Sequence, residues 1–178
     1  APVGGGISIG SNDAPIFHTT YIKNNIGSEA GGGLYLNGVS PQLSGITIQG
    51  NSAARGGGIY IENSYSELYD LLIIENSADY GGGIFFTNSD FSISNSKVIQ
   101  NSAISGGGLF LDYYSNIDLD KVDFFYNYAD TYGGGIVLEQ GSSLRIYRSL
   151  IHHNYAPIYG AGIYSWLETD FRLSQVTI

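Results

Sequence analysis

The chain has 178 residues, among them 26 Gly, 4 Pro and 15 Tyr but no Cys or Met, and 7 Lys plus Arg against 16 Asp plus Glu set the net charge at −9. Glycine at about twice its usual share of roughly 7%, with so little proline, excludes collagen and proline-rich disorder, while the absence of cysteine excludes disulfide scaffolds, thiolate zinc sites and Cys nucleophiles. Hydrophobic residues make up 43%, so the acidity belongs to a folded surface, one that repels nucleic acid and anionic lipid.

In chain order, the first coil opens at Gly4-Gly5-Gly6 and predicts a strand on Ile7 and Ile9, further apolar positions at Phe17 and Ile22, and a turn at Asn25. The same events restart at Gly31 (Leu34/Leu36, Leu43, Ile48, Asn51) and at Gly56 (Ile59/Ile61, Leu68, Ile73, Asn76). They restart again at Gly81 (Ile84/Phe86, Ile93, Val98, Asn101), Gly106 (Leu109/Leu111, Leu119, Phe124, Asn127) and Gly133 (Ile136/Leu138, Ile146, Ile151, Asn154). A variant triplet, Gly160-Ala161-Gly162, opens the last copy, which carries Ile163, Leu173, Val176 and Ile178. Successive triplets lie 27, 25, 25, 25, 27 and 27 residues apart.

A repeat of this length signals a solenoid. Each copy holds three short runs with period two, separated by Gly, Asn, Ser and Asp, and none has the length that helical periodicity needs. The reading is all-β: a parallel β-helix of about seven coils, three strands per coil, stacked at about 4.8 Å. The two extra residues of the longer repeats fall in turns, so every strand keeps its inward/outward phase. Triplet glycines suit a corner of positive φ and close coil approach. Stacked asparagines are expected to hydrogen-bond to one another and to turn backbone. Residues 1–178 read as a single β-helix segment. Its ends carry no polar cap, and Ala1-Pro2-Val3 carries no signal-peptide pattern, so a fragment of a longer solenoid or an end-to-end stack of copies is expected.

The Gly-Gly-Gly-Ile-Tyr corner of residues 56–60 followed by apolar-x-x-Asn, strictest at Phe124–Asn127, resembles the Gly-Gly-Ala-(Ile/Leu/Val) and Phe-x-x-Asn repeats of bacterial polymorphic outer membrane proteins and their secreted relatives. Here a third glycine replaces the alanine at most corners. The resemblance implies a right-handed coil and an extracellular or cell-surface setting.

Three groups are candidate sites. The middle residue of the first strand (Tyr35, Tyr60, Phe85, Phe110 and Tyr164) is expected to point outward and expose an aromatic ladder. Such rings either shield the sheet by stacking or form a docking strip for a glycan or surface protein. Asp118, Asp120 and Arg145 are the catalytic candidates, in a cluster with Asp123, Arg148, Arg172 and His152-His153. A polysaccharide lyase needs carboxylates for calcium and a basic group for a proton, but the same columns read as a cross-coil charge ladder. Asp13, Glu62, Glu67, Asp90, Asp112, Glu139, Glu168 and Asp170 read as a solvated acidic face; carboxylates of this kind leave calcium open as an alternative, but no calcium motif accompanies them and no cofactor is expected. The expected role is a structural or adhesive surface segment. The alternatives are a carbohydrate-active enzyme on the same fold, for which long loops are lacking, and an end-to-end polymerising block.

Overall fold

Every coil turns through residues in the left-handed region. The first glycine of each triplet holds φ of 60–68° at Gly4, Gly31, Gly56, Gly81, Gly106 and Gly133. The same conformation recurs at three other columns occupied largely by ordinary residues: Asn63, Asn88 and Tyr114; Asp70, Asn95, Lys121 and Arg148; and Glu75, Gln100, Tyr126 and His153. Each such residue costs about 1–2 kcal/mol outside glycine, a cost the coil-to-coil hydrogen bonds must offset. In this computed structural model, which describes residues 1–11 and 13–178, the strands form three sheets; the Asp70 column bends the second sheet from within, and the other columns lie between sheets.

The first sheet has seven strands in sequence order, from Ile7–Gly10 through Leu34–Asn37, Ile59–Glu62, Ile84–Thr87, Leu109–Asp112 and Ile136–Leu138 to Ile163–Ser165. The second has nine, dominated by the long bent strands Tyr65–Ile74, Asp90–Ile99 and Asn116–Phe125. The third is short: Ser77–Tyr80, Ser102–Ser105 and Tyr128–Tyr132. Strands pair in parallel with their equivalents one coil away, so Leu34 faces Ile59, Ile59 faces Ile84 and Ile84 faces Leu109. The molecule is an all-β parallel solenoid of about six full turns. In the four middle repeats the second and third apolar runs form one strand, bent at the Asp70 column, and the third sheet arises beyond the asparagine, around Ala78, Ala103 and Ala129.

Like stacks on like inside the coil. Leu34, Ile59, Ile84, Leu109 and Ile136 are each fully buried, as are Ile48, Ile73, Val98 and Phe124 on the facing sheet. Burying such a side chain contributes about 1.5–3 kcal/mol, and the parallel register places these groups in continuous columns. The second triplet glycine shows why size is restricted at the corner. A Cβ on Gly57 would come within 2.3 Å of the Ser77 carbonyl oxygen and 2.6 Å of that of Gly82.

Polar columns close the remaining corners. Asn51, Asn76, Asn101 and Asn127 are buried. Each Nδ2 donates to the next asparagine's Oδ1, as Asn76 does to Asn101 at 3.0 Å, and to a carbonyl in the preceding coil, as Asn76 does to Ile48 at 3.0 Å. In a second buried column of Ser64, Ser89, Ser115 and Ser142, all but Ser115 accept a backbone N–H from the coil before, Val39 donating to Ser64 Oγ at 3.1 Å and Ser64 to Ser89 Oγ at 3.2 Å. Among the described residues no helix is long and apolar enough to cross a membrane.

Candidate functional site

Alternation along the first strand turns Tyr35, Tyr60, Phe85 and Phe110 away from the main core, as expected. Their rings stack at 5.5, 5.3 and 5.2 Å with interplanar angles of 9°, 7° and 11°. The expected exposure needs correction. Tyr60, Phe85 and Phe110 are only 5%, 4% and 4% exposed, and Tyr35 and Tyr164, at the two ends, are half-buried. The cause is the column preceding each glycine triplet, which folds back over the rings. The Arg55 guanidinium lies 5.7 Å from the Tyr60 ring centre, and Tyr80 meets Phe110 edge-on at 5.7 Å. With Ala30 and Val137 these rings form a second, smaller apolar core outside the first. Burial, reinforced by the Glu62 charge, pushes the Tyr60 hydroxyl up to about 12. The Tyr35 hydroxyl donates to the Glu62 carboxylate and accepts from Asn37 Nδ2 at 3.2 Å.

Asp112 and Glu139 stand in register on adjacent coils, on the same outward side as the ring stack. Burial raises both carboxyls above their ordinary range, and the Asp112 charge raises Glu139 further. Arg55 and a hydrogen bond from the Tyr113 backbone partly offset the rise at Asp112. Asp112 Oδ1 is buried with no hydrogen-bond partner.

The catalytic candidates lie on the open outer face of the second sheet. Arg145 Nη1 donates to Asp118 Oδ1 at 3.0 Å, with both side chains nearly half exposed. Arg148 binds Asp120 through two nitrogens, Nε at 2.7 Å, and this holds the Asp120 carboxyl below its ordinary range. Arg172 pairs with Asp170 at 3.4 Å within its own strand. Asp118 and Asp120 are thus matched to separate arginines one coil on and are not brought together around a shared space. His152 and His153, adjacent in sequence, do not diverge as strand neighbours would. The left-handed turn at His153 brings the two Nδ1 atoms to 2.7 Å, and Phe125 stacks on His152 at 5.2 Å. Among the described residues no three His, Asp or Glu side chains gather as a metal site.

Sequence reasoning missed a corner groove of about 420 Å³ between the first and second sheets, lined by Asn63, Tyr65, Asn88, Asp90, Tyr114 and Asn116 among others. Its signal was present in the sequence, since Asn63 and Asn88 recur at the repeat spacing of 25 residues.

A family model described as a right-handed β-helix region matches residues 3–178. The chain belongs to the right-handed β-helix family. Its winding sense therefore agrees with the chirality of parallel β connections. No curated protein and no solved structure matches this β-helix chain. The fold occurs in adhesins and in carbohydrate-active enzymes alike, so function rests on the surface of this particular β-helix.

Proposed function

We propose that this β-helix is a rigid extracellular or cell-surface module that presents a binding face, in the manner of the polymorphic outer membrane protein repeats its corners resemble. The observation that carries the reading is how the suspected catalytic side chains are used. Asp118 and Asp120 are paired with Arg145 and Arg148 across coils on an open sheet face. A general acid or base needs a substrate within hydrogen-bond reach and a shifted pKa suited to proton transfer, whereas these carboxylates act as rungs of a charge ladder. Uniform coils with stacked interior columns suit a stiff element whose surface does the binding.

Beads coated with the protein should adhere to polysaccharide- or cell-coated surfaces without releasing sugar products, and Asp118→Ala and Arg145→Ala should adhere equally well. Turnover of an acidic polysaccharide that disappears in Asp118→Ala would overturn the reading in favour of the enzyme.

A further inference from the structure

At most corners each residue is matched by its like in the next coil, and at one corner this matching breaks off. Asn63 Nδ2 reaches Asn37 Oδ1 at 3.4 Å, and Asn88 Nδ2 donates to Asn63 Oδ1 at 2.7 Å. This amide ladder runs on the outside of the coil. The next asparagine is missing because the following repeat is longer, and Tyr113-Tyr114 stands where one residue stood before. Backbone pairing confirms the substitution: Asn88 N–H donates to the Tyr113 carbonyl at 2.9 Å, setting Tyr114 in the asparagine column. No described side chain donates to Asn88 Oδ1, and the ladder ends there because the next coil offers Tyr114 in place of an amide.

The two tyrosines hold φ of 49° and 56°. Bulky residues in this region cost about 1–3 kcal/mol each and persist where their surroundings fix them. The Tyr114 ring is seated on Gly141, where a Cβ would lie 2.5 Å from Tyr114 Cε1. Gly141 therefore leaves room for the ring to lie beside the groove, and Tyr114 as a residue is 65% exposed. Tyr65, on the opposite side of the lining, is 68% exposed. Between them, Asn116 Nδ2 donates to Asp90 Oδ1 at 2.7 Å, and the second Asp90 oxygen has no described side-chain partner.

We infer that this corner groove binds a short segment of neutral glycan, with Tyr65 and Tyr114 as stacking surfaces and Asn88 and Asp90 as hydrogen-bond acceptors for hydroxyls. The inference rests on the presenting-module reading and names its ligand class. The chemistry eliminates the alternatives. The lining includes a carboxylate and no cation on a chain of net charge −9, so an anion is repelled. Amides and hydroxyls dominate the floor, so an apolar ligand would strand polar groups. Exposed aromatic faces beside a few placed acceptors suit a ligand with apolar C–H faces and many donating hydroxyls.

The test is calorimetric or NMR titration of the whole chain with neutral oligosaccharides of four to six glucose, xylose, mannose or N-acetylglucosamine units, and with an oligogalacturonate as the acidic probe. Saturable binding of at least one neutral series is expected, weakened tenfold or more by Tyr114→Ala and by Asn88→Gly. The second variant keeps the fold because glycine accepts the 47° φ of Asn88. Tyr128→Ala, on a different corner, should bind as the parent does, and circular dichroism checks that all variants are folded. Neutral binding unaffected by Tyr114→Ala and Asn88→Gly would overturn the groove assignment while leaving the presenting-module reading standing. Preference for the oligogalacturonate, or no binding by any probe, would overturn the ligand class, and the bead assay then decides separately whether the module adheres at all.

Discussion

Replacing Asn76 by alanine probes the hydrogen-bond column at the middle of the solenoid. Asn76 is fully buried and its Oδ1 accepts the Asn51 backbone N–H and the Asn51 Nδ2–H, each at 3.0 Å. Alanine leaves both donors buried with nothing to meet, and it also removes a donor from the Ile48 carbonyl. At about 1–3 kcal/mol for each orphaned group, the two Asn51 donors alone set a loss of about 2–6 kcal/mol. A domain has only about 5–15 kcal/mol in total, so Asn76→Ala should lower the urea midpoint sharply or abolish folding. The exposed ladder supplies the control. Asn63 also bonds to asparagines on both sides, but water replaces its partners, and Asn63→Gly keeps the 50° φ. It should stay within about 0.5 kcal/mol of the parent. Urea unfolding followed by circular dichroism measures both. A loss below about 1 kcal/mol in Asn76→Ala would refute the argument that these asparagines hold the corner together.

Phe85→Ala should cost about 3–5 kcal/mol in the same assay, because the ring is covered on its outer side; a loss near zero would restore the ladder to the solvent. Gly57→Ala should prevent or severely weaken folding through contact with the Ser77 carbonyl, whereas Gly10→Ala, with nothing within 4 Å of its Cβ, should be neutral. The pair Asp112 and Glu139 predicts a pH effect with a definite sign. Both folded carboxyls are raised, so their contribution to stability is full at pH below the ordinary carboxylate range and is lost as pH climbs through the raised values. Asp120, held low by Arg148, acts oppositely, so the comparison of the parent with Asp112→Asn isolates the effect: the variant should gain on the parent as pH rises from acid to neutral. An unchanged difference across that range would contradict the assignment.

The fold was legible in the sequence because a solenoid writes each interior column as a repeated residue type. Ile59, Ile84 and Leu109 announced one column and Asn51, Asn76 and Asn101 another, and the parallel pairing follows from the constant period. Exposure was not legible. Alternation states which side of a sheet Phe85 occupies, but not that Tyr80 and Arg55 fold over that side from a neighbouring corner. Nor did the sequence mark the left-handed turns at Lys121, Tyr126 and His153, since residues of these types carry no signal for positive φ. That is why the two histidines meet instead of diverging. The groove was missed for a related reason: Asn63 and Asn88 read as turn residues, and the meaning of the extra tyrosine at residues 113–114 appears only once the coils are stacked.

The register of that stack is the central claim, and the absence of cysteine makes cross-linking a direct measure of it. Glu67 faces Ser92, and Ser92 faces Asp118, in consecutive coils on the outer side of the second sheet. Partners at about 4.8 Å lie within the Cα separation of about 4.4–6.8 Å that a disulfide accepts, and a two-residue slip does not. Under mild oxidation the double substitution Glu67→Cys with Ser92→Cys should form an intramolecular disulfide, and Glu67→Cys with Ser94→Cys should remain reduced. Efficient bridging of the second pair with none in the first would contradict the register and the stacking built on it.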